Sequence, residues 1–170
     1  MPMRLLFLAF CGAGVLFAAG MHDGIPFAKH AIDLGAAETC AVADLNGDGR
    51  LDIVSGENWF EAPRWTKRRF RELYFERNYI DAFSDLVLDV NGDGRPDIVT
   101  ATWFSRKLSW YENPGAAAGL WKEHLIDSGT SIEFALLADL NNDGQPREVL
   151  PQFGSAKTPL AWYQILRGKF

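Results

Sequence analysis

Asp44-Leu-Asn-Gly-Asp-Gly-Arg-Leu-Asp-Ile-Val54 is the stretch on which the reading of this chain turns. Side-chain oxygens stand at its positions 1, 3, 5 and 9 (Asp44, Asn46, Asp48, Asp52), and Arg50 at position 7 offers a backbone carbonyl. Downstream the pattern returns as Asp89-Val-Asn-Gly-Asp-Gly-Arg-Pro-Asp-Ile-Val99, with Asp89, Asn91, Asp93, Asp97 and the Arg95 carbonyl. A third copy runs Asp139-Leu-Asn-Asn-Asp-Gly-Gln-Pro-Arg-Glu-Val-Leu150. It keeps Asp139, Asn141 and Asp143, with Gln145 at position 7, but places Arg147 at position 9. Arginine cannot ligate a cation. Glu148 follows it and takes the role only if this loop is one residue longer.

Hard oxygen donors around a flexible turn suit Ca²⁺, which accepts six to eight of them. Mg²⁺ demands a tighter octahedron and keeps its waters. Zinc prefers His and Cys, and the turns hold neither. The expectation is therefore calcium at the first two turns, with the third left open. A metal-free hairpin is the simpler alternative, but it needs only two turn residues, not four oxygen donors at odd positions. Carboxylates packed this closely also repel one another unless a cation joins them. An EF-hand loop begins the same way, yet it needs Glu at position 12 and flanking helices. Position 12 here is Ser55, Thr100 or Leu150, and the flanks read as strands.

The turns recur 45 and then 50 positions apart, the length of one four-stranded propeller blade. Their flanks recur as well. Phe27-Ala-Lys-His-Ala-Ile-Asp33 matches Trp121-Lys-Glu-His-Leu-Ile-Asp127, with Trp65-Thr-Lys-Arg-Arg-Phe70 as a looser copy before an insertion reaching Tyr79. Leu108-Ser-Trp-Tyr-Glu-Asn-Pro114 is echoed by Leu160-Ala-Trp-Tyr-Gln-Ile165 and, shortened, by Asn58-Trp-Phe-Glu-Ala-Pro63. These runs alternate apolar with polar residues as half-buried strands do, and no helical period follows the N-terminus. The chain is expected to be all-β: about three four-stranded antiparallel blades in an open arc, spanning roughly residues 25–63, 64–115 and 120–169. Each blade would open on the aromatic strand.

The turns and their aromatic flanks resemble the FG-GAP/VCBS repeats, calcium-bearing propeller blades also found in integrin alpha subunits. The resemblance covers nearly all of residues 25–170. It implies blades around an axis, each hairpin braced by calcium. Family members commonly carry about seven blades, more than this length holds. Phe170 falls where the aromatic of a fourth unit belongs, so the expectation is a chain cut as the next blade begins, or one that self-associates to close the ring.

Arg4 followed by the apolar run of residues 5–19 and the small residues Ala18, Ala19 and Gly20 reads as a signal peptide over residues 1–20. That run is short of the roughly 20 residues a membrane span requires. Export implies a secreted or periplasmic protein. Only Cys40 then remains of the two cysteines, so no intrachain disulfide staples the fold. The net charge of −5 argues against nucleic acid, which needs a basic stripe.

No motif pairs a nucleophile with its base, and no catalytic residue is assigned. The expected role is a binding or scaffolding module for a protein or glycan; the alternative is part of a carbohydrate-active enzyme of the sugar lyase or dehydratase kind. His30 and His124 share a repeat position, which strand packing explains more simply than catalysis. Glu38, Asp85 and Glu133 precede the turn strands, where ligand-facing groups would sit. Trp59, Trp103, Trp110 and Trp162 are expected to pack between blades rather than to stack on sugars.

Overall fold

The turn chemistry and the branched runs between turns produce short strands joined by hairpins. The computed structural model describes residues 25–115 and 119–166, so the expected signal peptide and Phe170 lie outside the described residues. The chain divides into two units, residues 1–31 and 32–170. In the first, residues 25–31 form no strand and are exposed. No helix among the described residues is long and apolar enough to cross a membrane.

The second unit is all-β. Its first sheet is β1 (Cys40–Ala43), β2 (Asp52–Ser55), β3 (Asn58–Glu61) and β4 (Thr66–Arg69), in that spatial order. The insertion forms a small hairpin of β5 (Phe75–Glu76) and β6 (Tyr79–Ile80). Its tight turn sets Arg77 and Asn78 at φ 49° and 71°, the left-handed values that a two-residue hairpin loop demands. The second sheet orders β7 (Ser84–Leu88), β8 (Asp97–Ala101), β9 (Lys107–Glu112) and β10 (Lys122–Ser128) side by side. The third pairs β11 (Ile132–Ala138) with β12 (Glu148–Phe153). All pairings are antiparallel, and none of the four sheets closes into a barrel. This is the arrangement of an open, partial propeller.

The leading strands of the three larger sheets lie together, β1 against β7 and β7 against β11. Two apolar cores fill the spaces between those sheets. One joins Ala43, Leu45 and Val54 of the first sheet to Ile98, Tyr111 and Trp121 of the second. The other joins Leu88, Val99 and Leu108 to Ile132, Ala135 and Val149. Sheet two is thus covered on both faces, and every residue of β8 is buried. Its Asp-Ile-Val-Thr-Ala run, continuous rather than alternating, suits a strand with no solvent face.

Sheet and repeat are offset by one strand. The aromatic-led segments beginning at Trp65 and Trp121 supply β4 and β10, which pair with β3 and β9 and finish the preceding sheet instead of opening the next. β4 follows β3 after four residues and β10 follows β9 after nine, each folding back antiparallel on the strand before it, while the next leading strands begin 14 and 3 residues further on. Residues 27–33, the first copy, make no strand, because no described strand precedes them to provide a ladder. Among the described residues, sheet three has no outer half. Its echo of the third strand touches β12 through one bridge, Val149 to Tyr163.

Candidate functional site

Each Asp-rich turn connects the first two strands of a sheet and folds around its own carboxylates. Asp44 accepts hydrogen bonds from the N–H groups of Gly47 (2.8 Å), Asp48 (3.0 Å) and Gly49 (2.8 Å). Asn46 Oδ1 takes a second bond from the Asp48 N–H at 3.0 Å, and Asp48 Oδ1 takes the Arg50 N–H at 2.9 Å. The second turn repeats these bonds at Asp89, Asn91 and Asp93, ending on the Arg95 N–H. Gly47 and Gly92 hold φ of 75° and 80° at position 4, and the third turn puts Asn142 there at 59°. Asn tolerates that left-handed backbone better than other side chains, so the exchange keeps the turn's shape.

The ninth position works differently. Asp52 is fully buried, and its two oxygens receive the Leu45 N–H at 3.1 Å and the Ala62 N–H at 2.9 Å. Asp97, equally buried, receives the Val90 N–H at 2.9 Å and the Asn113 N–H at 2.8 Å. Each carboxylate thereby ties the start of its turn to the end of the third strand. Burial pushes both pKa values above the usual carboxylate range, and the neighbouring charges of Asp48 and Asp44, or of Asp93, push the same way. At Asp93 itself partial desolvation is outweighed by the Arg95 N–H, Asn91 and the Arg95 guanidinium, which lower its pKa.

In the third turn the equivalent of Asp52 and Asp97 is Glu148. Ala43 faces Asp52, Leu88 faces Asp97 and Ala138 faces Glu148 across the first two strands. Glu148 is buried, takes the Leu140 N–H at 2.9 Å and meets Asn141 Nδ2 at 3.2 Å. The rest of that turn follows suit, with Asp139 accepting from Asp143 and Gly144, and Asp143 from Gln145. Arg147 is the one inserted residue.

Among the described residues, no three or more His, Cys, Asp or Glu side chains stand together as a ready metal cage. Arg50 and Arg95, named for their carbonyls, also lean their guanidinium groups toward Asp48 and Asp93. The donor set still fits a hard cation. An oxygen that accepts one N–H keeps a second acceptor site, as Asp44 Oδ2, Asn46 Oδ1 and Asp48 Oδ1 do. Positions 1, 3 and 5 carry side-chain oxygens in every turn, followed by Asp52, Asp97 or Glu148.

The other candidates scatter. Asp85 sits on β7 with a fully buried side chain, gripped at 2.7 and 2.8 Å by both terminal nitrogens of Arg71. Glu38 hydrogen-bonds Tyr79, raising its pKa with further help from desolvation and the charge of Glu133. His124 stacks on Trp110 at 4.2 Å and meets Glu112 at 2.7 Å, while His30 is exposed. Trp59 and Trp110 pack against the two cores. Trp103 lies over Gly154, where an added Cβ would fall 2.3 Å from its ring. Trp162 is 44% exposed.

Two features carry no motif in the sequence. Arg71 crosses from sheet one to sheet two, bonding the Gly56 carbonyl at 2.9 Å as well as Asp85 and Thr100, between the rings of Phe70 and Tyr111. Asp81 accepts the successive N–H groups of Trp103, Phe104 and Ser105 at 2.7–2.9 Å. It shapes one wall of a cleft of about 380 Å³ bounded by Tyr74, Glu76, Trp103, Phe104, Arg106 and Ser131. By strand direction, that cleft opens at the end of the sheets away from the Asp-rich turns.

Among known proteins, the profile of a family described as FG-GAP-like repeat matches residues 89–146, from the second turn through sheet two to the third turn. No curated protein and no solved structure matches the chain.

Proposed function

We propose that this chain is an exported repeat scaffold whose three Asp-rich turns each hold one calcium ion and whose opposite end engages a protein or glycan. The observation that carries the calcium reading is the shared register of the three turns and the bonds they have in common, with Glu148 accepting the Leu140 N–H as Asp52 accepts that of Leu45 and Asp97 that of Val90. A turn that only reversed the chain would have no need to preserve an acidic group through a one-residue insertion. Calcium would be held by Asp44, Asn46, Asp48, the Arg50 carbonyl and Asp52; by Asp89, Asn91, Asp93, the Arg95 carbonyl and Asp97; and by Asp139, Asn141, Asp143, the Gln145 carbonyl and Glu148. It would supply stiffness, pinning each hairpin, and no chemistry.

The ligand reading draws support from the aromatic cleft, where Tyr74, Trp103 and Phe104 offer flat surfaces and Arg106 and Glu76 offer polar recognition. Export rests on the N-terminal sequence.

A melt in EGTA and in excess Ca²⁺ tests the calcium reading. Binding only to the folded state raises stability by about 2.7 kcal/mol when calcium is a hundredfold over its dissociation constant. The melting temperature should fall in EGTA and recover with Ca²⁺; equal melts in both reject the proposal. A glycan array on the same protein should give binding without turnover, and release of an unsaturated sugar would point to a lyase instead.

A further inference from the structure

The two complete sheets agree on how an outer strand is recognised. In each, a third-strand tryptophan stands directly opposite a basic residue of the fourth strand: Trp59 opposite Arg68, Trp110 opposite His124. The pair makes ring contact both times, at 5.8 Å and 4.2 Å. Both basic residues also reach a carboxylate two positions beyond the tryptophan, Arg68 to Glu61 at 2.6 Å and His124 to Glu112 at 2.7 Å. Sheet three holds the tryptophan without its partner. Trp162 matches Trp110, because Tyr163 bridges Val149 as Tyr111 pairs with Ile98. Leu160 is 83% exposed where its counterpart Leu108 is 0%. Among the described residues, one segment with the outer-strand pattern is left out of every sheet. It is Phe27-Ala-Lys-His-Ala-Ile-Asp33, with His30 three places after its leading aromatic, as Arg68 and His124 follow Trp65 and Trp121.

We propose that residues 27–33 of one chain add as the outer strand beside residues 160–165 of a second copy, with His30 opposite Trp162. The flanking faces agree. Leu86 and Val87 of sheet two pack into opposite cores. Their counterparts Leu136 on sheet three and Val42 on sheet one stay exposed, as does Phe134 beside Leu136. Strand addition brings those faces together head to tail and covers two open ends at once. The donor is a second copy because the linker of residues 34–39 spans about 20 Å at most. The vacant position lies about two sheet spacings (~20 Å) and three strand spacings (~14 Å) from β1. A head-to-tail contact closes only if the rotation allows. Two copies give six sheets, inside the range of about four to eight blades that propellers adopt, so the assembly is a closed dimer. The inference stands on strand pairing and does not depend on calcium.

Cross-linking tests it, with Cys11 and Cys40 replaced by Ser and calcium kept in the buffer. One chain carries His30→Cys and a second carries Trp162→Cys; both positions are exposed, and circular dichroism verifies folding. Mild oxidation of the mixture should yield a disulfide between the two chains. Moving the first cysteine one place, Ala31→Cys, should abolish it, because a one-residue step turns the side chain to the other face. Light scattering of the unmodified protein should give twice the chain mass. A monomer, an open series of larger species, equal cross-linking of both registers, or a disulfide formed only within a chain carrying both cysteines overturns the proposal.

Discussion

Asp52 and Asp48 stand four residues apart and do different work. The buried Asp52 carboxylate ties two strands through backbone N–H groups, while Asp48 lies at the exposed tip of the turn. Asp52→Ala should cost about 2–4 kcal/mol even in EGTA, since two buried donors lose their acceptor. Asp48→Ala should leave metal-free stability within about 0.5 kcal/mol yet remove that turn's response to calcium. Urea titrations of both variants with and without calcium measure the difference. Equal losses in EGTA would mean that the tip, too, is structural. Position 9 was legible in the sequence as an acidic site, and Glu148 as its stand-in. Its double duty as a strand tie was not, because the partner N–H groups of Ala62 and Asn113 come from beyond the motif.

Between sheets one and two the connection is Arg71. Its guanidinium is buried with Asp85 in a two-pronged pair, and Thr100 completes the set by donating to Asp85 Oδ1 at 2.9 Å. Arg71→Leu leaves the Asp85 charge uncompensated in the interior and should cost about 3–5 kcal/mol, whereas Arg71→Leu with Asp85→Leu should recover much of that loss. Chemical denaturation of the two variants measures it; a double variant as unstable as the single one would contradict this assignment. No pattern in the sequence announces this pair, since a lone arginine 14 residues before an aspartate has no periodic signature. Strand identity was readable from alternation and turn residues. Sheet membership was less so: Trp65 and Trp121 open the sequence repeat, but the strands that follow them pair back onto β3 and β9 of the preceding sheet. Loop length does not announce this, since β10 lies nine residues from β9 and three from β11. Among the described residues the third sheet has two strands and the Val149–Tyr163 bridge.

Across the whole molecule, burial sets the alkaline limit. Desolvation pushes the Tyr111 and Tyr163 hydroxyls from 10.0 to about 12, and Tyr74 and Tyr79 are raised as well, chiefly by hydrogen bonds to Glu76 and Glu38. A hydroxyl whose folded pKa lies above its unfolded value contributes stability that is complete below pH 10. That contribution is lost as pH climbs toward 12, because the unfolded chain ionises first. Phenolate absorbance should therefore show no ordinary tyrosine titration near 10 in the folded protein, and thermal stability should decline between pH 10 and 12. A normal midpoint for all four tyrosines would contradict the packing described here.

Three turns alike in register make calcium binding countable. Calorimetric titration of Ca²⁺ into chelator-stripped protein should give saturable binding of three ions per chain, falling to two in the Asp93→Ala variant. Heats no larger than dilution, with the fold intact, would contradict it.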